Sequence, residues 1–178
     1  MTDLITRFGA LGVFALMVPE SACVPIPSEV TLLFSGFAVR QGWMSFPVAL
    51  LAATAGNLLG SLLAYTLGAS HQLERLPGAG ALVDRGASVL ERHGIRGVFI
   101  ARLLPLARTF VSLPAGARHV PLSSFVVLTT LGCAAWAGAL IVLGALAGTA
   151  WAQLSTVLGH ALLASGVVVL AVVLLRRR

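Results

Sequence analysis

Two segments of this chain are apolar enough to enter a lipid bilayer, yet they carry charges and prolines that a simple spanning helix would not tolerate. The first holds Glu20 and Glu29 around Pro25, Ile26, Pro27 and Ser28, and the second holds Arg102 and Arg108 around Leu103, Leu104 and Pro105. An ionisable group at bilayer depth costs about 2.5–3.5 kcal/mol on insertion scales, so such groups face a cavity, pair with one another, or do both. Proline breaks a helix, and irregular backbone at membrane depth survives only where protein or water covers it. The segments Pro19 to Arg40 and Gly97 to Arg118 therefore read as re-entrant hairpins that dip into the membrane and return, with turns at Ser35-Gly36 and Ala115-Gly116.

The rest of the chain agrees with a membrane setting. Hydrophobic residues make up 58% of it and charged residues 10%, beyond the roughly 45–50% apolar share of soluble domains. Three uninterrupted stretches match the ~20 residues needed to cross the hydrocarbon core: Pro47 to Gly68, Leu122 to Ala147 and Thr156 to Leu175. A shorter helix, Leu4 to Val18, precedes them. Arg7 and the apolar run to Val18 have the outline of a signal peptide, but Glu20 stands where a cleavage region should be small and neutral, so the segment reads as retained. The fold class is an all-α integral membrane protein with two opposed re-entrant hairpins, about three full spans and an N-terminal helix. It forms a single membrane domain: 1–68 (N-terminal helix, first hairpin and span), 69–96 (cytoplasmic segment), 97–147 (second hairpin and span) and 148–178 (C-terminal span and basic tail).

Arginine placement sets the orientation. With Arg176, Arg177 and Arg178 cytoplasmic, Arg7, Arg75, Arg85, Arg92, Arg96 and Arg118 fall on the same side and Arg40 alone lies outside. Both termini are then cytoplasmic. One full span separates the two hairpins, so they enter from opposite faces and their tips meet near the midplane. At a fixed offset Thr54, Gly56, Leu67 and Gly68 align with Thr130, Gly132, Leu143 and Gly144, and with a small gap Gly36 aligns with Gly116. That is the outline of an inverted repeat, a recurrent transporter plan. The Gly56 and Gly60 pair and the series Gly132, Gly138, Gly144 suit close helix packing in lipid.

All twelve basic residues are arginines, and most flank apolar segments, which is membrane topology and not a nucleic-acid footprint. Cys23 and Cys133 read as free thiols without metal-ligand spacing, and no HExxH, GxSxG or P-loop occurs. No enzyme activity, cofactor or metal is expected. The guanidinium forks of Arg102 and Arg108 suit an anionic headgroup such as a phosphate. Glu20 and Glu29 serve as fixed counter-ions or as proton carriers; four charges forming two ion pairs that merely lock the hairpins is the plainer alternative. Ser28, Asn57, Tyr65, Thr109 and Ser112 are candidate cavity-lining residues, although helix-packing hydrogen bonds account for them equally well. Trp43, Trp136 and Trp151 fit interfacial anchoring, Trp136 at greater depth.

The run Glu20 with Pro25-Ile26-Pro27-Ser28-Glu29, then Gly56 to Tyr65 and Gly68, then Ala101-Arg102-Leu103-Leu104-Pro105-Leu106-Ala107-Arg108-Thr109 with Pro114-Ala115-Gly116, and finally Phe125 and Trp136, resembles the DedA family of bacterial membrane proteins within the VTT-domain superfamily. The resemblance covers about Glu20 to Gly148. It implies a multi-pass protein of the bacterial inner membrane that translocates lipids, with undecaprenyl phosphate as the cargo and the proton motive force as an associated driver. It also implies that Glu20 and Glu29 match the family's acidic pair and Arg102 and Arg108 its basic pair, with a lipid phosphate headgroup as partner. Asn57 and Ser61 stand where many members carry an acid, and Ala101 replaces a glycine, which bears on proton coupling. A proton-coupled transporter of small ions or solutes and a non-transporting membrane scaffold are the rival readings, and association with further copies of the chain is open.

Overall fold

The computed structural model describes residues 8–22, 27–70, 90–104 and 107–147. The expected span Thr156 to Leu175, the arginine tail, the start of the N-terminal helix and most of the segment 69–96 lie outside these residues, as does Cys23. The described chain is helical: α1 Ala10–Ser21, α2 Ser28–Arg40, α3 Phe46–Ala69, α4 Gly97–Arg102, α5 Ala107–Phe110, α6 Ser112–Ala117 and α7 Leu122–Ala147.

Two helices form the frame. α3 has 24 residues and α7 has 26, so each is at least ~36 Å long and can cross a bilayer core of about 30 Å. These are the expected spans, with α3 extended by one residue at each end. Pro47 is accepted because the first turn of a helix has no use for its missing N–H. Each helix turns bulky apolar residues outward, Leu51, Leu59, Leu63 and Leu67 on α3 and Val127, Leu131, Leu143 and Leu146 on α7. Inward, α3 shows Ala49, Ala53, Gly56, Asn57, Gly60, Ser61, Ala64 and Gly68. Large apolar groups face lipid and small ones face protein, as expected where lipid itself is as apolar as leucine.

Shorter helices fill the space between them. α1 runs along α3 so closely that a Cβ at Gly56 would lie 2.6 Å from the Phe14 carbonyl oxygen, and one at Gly60 would lie 2.1 Å from that of Val18. α1 therefore ends, at Ser21, beside the middle of α3. With 12 and 13 residues, α1 and α2 each measure about 18–20 Å and cannot cross alone. The runs Leu90–Arg102 and Ala107–Ala117 are bent by 115° relative to each other, and α4 ends beside the middle of α7, its Arg102 against Gly132.

The breaks do not fall where the glycines suggest. Ser35 and Gly36 lie inside α2, and Ala115 and Gly116 lie inside α6. Pro19, expected to begin the first hairpin, is inside α1, which continues to Ser21. The described helices instead end at Ser21 and at Arg102, and the next ones begin at Ser28 and at Ala107. Gly36 and Gly116 serve helix crossings. A Cβ at Gly36 would sit 2.0 Å from the Ile141 carbonyl oxygen, and one at Gly144 2.0 Å from that of Leu33, so α2 crosses α7 backbone to backbone. A Cβ at Gly116 would sit 2.1 Å from the Tyr65 oxygen and one at Gly68 2.2 Å from that of Leu113, so α6 crosses α3 in the same way. Arg40 donates to the Ala145 carbonyl, 3.1 Å, at one end of the bundle, and Arg118 pairs with Glu91 at the other.

The crossings predict a large asymmetry among glycines. Gly144→Ala should lower stability by about 1–3 kcal/mol through forced separation of α2 from α7, whereas Gly138→Ala, whose added methyl meets only Leu50 at 3.8 Å, should be tolerated. Thermal unfolding of the two variants in detergent, followed by loss of the monodisperse peak, measures the difference.

Candidate functional site

The site lies where the ends of α1 and α4 approach each other between the two long helices. α5 carries Arg108 inward, where its Nη2 donates to Glu20 Oε1 at 2.8 Å. Both side chains are buried, 6% and 4% exposed. The Arg108 guanidinium also lies over the Trp136 ring, 5.3 Å from its centroid. Moving two charges out of water costs several kcal/mol per ion, and the pair is sustained only if hydrogen bonds and polarisable neighbours complete its surroundings.

Arg102 has a different task. Its Nη1 donates to the Arg108 carbonyl oxygen at 2.6 Å and its Nη2 to Ser112 Oγ at 2.7 Å, with Thr129 Oγ1 at 3.5 Å. It also lies over the Phe125 ring at 5.9 Å. The Arg108 carbonyl is thus held by a charged donor, an interaction worth about 1.5–3 kcal/mol. Arg102 fastens the bend that presents Arg108.

On the acidic side, Glu20 Oε2 lies 3.1 Å from Ser21 Oγ, which lies 2.5 Å from Asn57 Oδ1. Ser61 donates to the Asn57 carbonyl at 2.6 Å. Arg108 Nη1, Asn57 Nδ2 and Trp136 Nε1 are buried without an acceptor among the described residues. The site thus holds more buried donors than acceptors, which is the electrostatic condition for taking up an anion.

The remaining expected residues are placed as follows. Ser112 is a partner of Arg102, and Asn57 joins Glu20 through Ser21. Ser28 is buried at the first position of α2, and Glu29 is half-buried in its first turn, where a helix N-terminus favours a carboxylate, with no ion pair among the described residues. Thr109 is half-buried next to Arg108. Tyr65 faces elsewhere: its hydroxyl donates to the Val120 carbonyl at 2.6 Å and its ring lies 4.7 Å from that of Phe125. Its role is to back the aromatic ring beneath Arg102. Cys133 is a buried free thiol beside the site.

Ser21, Phe125 and Thr129 were not singled out as site residues, and Trp136 was read as an anchor. A signal for three of them is present, because Phe125, Thr129, Gly132 and Trp136 recur at spacings of three and four and so share one face of α7. Ser21 has no such signal.

Removing one partner strands the other charge in the bundle. Arg108→Ala should cost about 3–5 kcal/mol, and combining it with Glu20→Gln should recover part of that loss; thermal unfolding of the two single variants and the double variant gives the coupling directly.

Comparison with known proteins places this geometry in a family. The VTT domain model matches residues 26–146. An "Alkaline phosphatase-like protein" of Lactococcus lactis is 33% identical over 168 residues, covering 88% of this chain and 78% of the relative. "Undecaprenyl phosphate transporter A" of Bacillus subtilis is 29% identical over 162 residues, 87% of this chain and 80% of the relative. The Staphylococcus aureus protein of the same name is 27% identical over 158 residues, 81% and 76%. No solved structure matches. The apolar helices and these relatives together make the chain a membrane protein, and it belongs to the DedA family of VTT-domain proteins.

Proposed function

We propose that this protein carries a phosphate-bearing lipid across the bacterial inner membrane, with undecaprenyl phosphate as the first candidate. The observation that carries this reading is the buried Arg108 to Glu20 pair, 2.8 Å apart, with donors to spare around it at half the depth of two spanning helices. Two relatives named as undecaprenyl phosphate transporters support the choice of cargo.

In this reading α1 with α2, and the runs Leu90–Arg102 and Ala107–Ala117, are re-entrant hairpins entering from opposite faces. The matching crossings, Gly36 with Gly144 and Gly116 with Gly68, support an inverted repeat. The face bearing Arg118 and Glu91 is cytoplasmic and the one bearing Arg40, on which α1 also begins, is external. Arg108 grips a headgroup oxygen while Glu20 competes for the same fork, so that the lipid is released when the carboxylate returns. Arg102 keeps the cradle in shape, and Glu29 in the first turn of α2 is the second acidic group along the polar path. The acyl tail stays in lipid and only the headgroup crosses. In this reading lipid phosphate is bound and released intact. Protons are the driver in this reading, with Glu20 as the group that carries them.

The test is headgroup translocation in proteoliposomes. Arg108→Lys keeps the charge and loses the planar fork, so transport of undecaprenyl phosphate should fall by about tenfold or more. Transport at the wild-type rate by this variant would refute phosphate clamping by Arg108. Movement of small anions without any dependence on lipid phosphate would favour a solute transporter instead.

A further inference from the structure

The hydrogen bonds around Glu20 contain an accounting conflict that points to how the site handles a proton. Ser21 Oγ lies within hydrogen-bonding distance of both Glu20 Oε2, 3.1 Å, and Asn57 Oδ1, 2.5 Å. A hydroxyl has one hydrogen and cannot donate to both. At the same time Asn57 Nδ2 is buried with no acceptor among the described residues, and the Asn57 side chain belongs to a residue only 1% exposed.

Two hydrogen arrangements satisfy these heavy-atom positions. In the first, Glu20 is protonated: Oε2–H donates to Ser21 Oγ, Ser21 Oγ–H donates to Asn57 Oδ1, and Oε1 still accepts from Arg108. The 2.5 Å separation lies in the range of an O–H···O bond and is shorter than N–H···O bonds usually are. In the second, Glu20 is ionised: Ser21 Oγ–H turns to donate to Oε2, and the Asn57 amide rotates by half a turn so that Nδ2 donates to Ser21 Oγ. That rotation gives Nδ2 an acceptor and puts Oδ1 in the position Nδ2 had held.

We infer that Ser21 and Asn57 form an amphoteric relay that satisfies Glu20 in both protonation states, so that this carboxyl can gain and lose a proton inside the bundle without leaving its own Oε2 stranded. The conversion needs one hydroxyl rotation and one amide flip and no movement of the backbone. The proton goes to or from Glu20 Oε2, while the hydrogens of Ser21 and Asn57 only reorient. Asn57 is suited to the role because its amide offers an acceptor on one side and a donor on the other; an acid or an aliphatic residue offers one or neither. The charged or titratable groups near Glu20 on the other elements are Arg108 on α5, which pairs with it, and the Cys133 thiol on α7, with Arg102 on α4 beyond them against the Arg108 carbonyl. α3 presents no charged residue. Ser21 and Asn57 are positioning residues acting through Glu20, and the inference gives the proposed carrier its proton-accepting group, although it stands or falls separately from the identity of the cargo.

The experiment is an infrared pH titration of the purified full-length protein in lipid nanodiscs with carbon-13-labelled glutamate carboxyls, Glu20→Gln identifying the Glu20 band. Asn57→Leu takes away the group that Ser21 Oγ engages in both arrangements, so the pH profile of the Glu20 band should change. Asn57→Asp leaves an ionised side chain with no donor for Ser21 Oγ, so the profile should change there as well. Ser61→Ala, which alters only a bond to the Asn57 backbone, should leave it in place. A Glu20 profile unmoved by both Asn57 variants, or moved equally by Ser61→Ala, would overturn the relay. Because the readout is the carboxyl itself, the result is independent of whether undecaprenyl phosphate is transported.

Discussion

Keeping the guanidinium of Arg108 inside an apolar helical bundle is the constraint around which the described residues are arranged. A cation there needs a counter-charge, and Glu20 supplies it from a helix that comes no deeper than the middle of α3. It needs a face on which to rest, and the Trp136 ring of α7 provides one. It also needs its own backbone held in place past a break in the helix, and Arg102 does this by donating to the Arg108 carbonyl. One arginine is presented and the other fastens it, a division of labour that equal charge and near-identical sequence context do not reveal.

The packing follows from the same need. Two broken helix pairs must bring their ends together between two long helices, so the long helices have to let them approach closely. Gly56 and Gly60 admit α1, Gly132 admits the Arg102 side chain, and the pairs Gly36 with Gly144 and Gly68 with Gly116 bring backbones into contact. In lipid, where burying leucine yields no advantage over leaving it exposed, such contacts and polar bonds supply much of the association energy. The glycines therefore position the site as directly as its charged residues do.

This explains which features were legible in the sequence. Long uncharged apolar runs have one solution in a bilayer, so α3 and α7 were readable almost to the residue. The four embedded charges were conspicuous because lipid makes them costly, and the structure brings Glu20, Arg102 and Arg108 together. The turns were misplaced at Gly36 and Gly116 because glycine serves both a turn and a close helix crossing, and only the partner helix distinguishes the two. Pro19 misled for a related reason: a proline within α1 is compatible with a helix that ends two residues later. Ser21 and Thr129 were missed because a hydroxyl in an apolar helix carries no mark of what it faces across the bundle.

The central claim is that the buried arginine exists to hold a phosphate at the head of a lipid tail. The most direct measurement compares binding of undecaprenyl phosphate and undecaprenol, which share the tail and differ in the headgroup, by native mass spectrometry of the intact protein. The account predicts retention of the phosphate over the alcohol and loss of that preference in Arg108→Gln; equal retention of both lipids by the wild-type protein would contradict it.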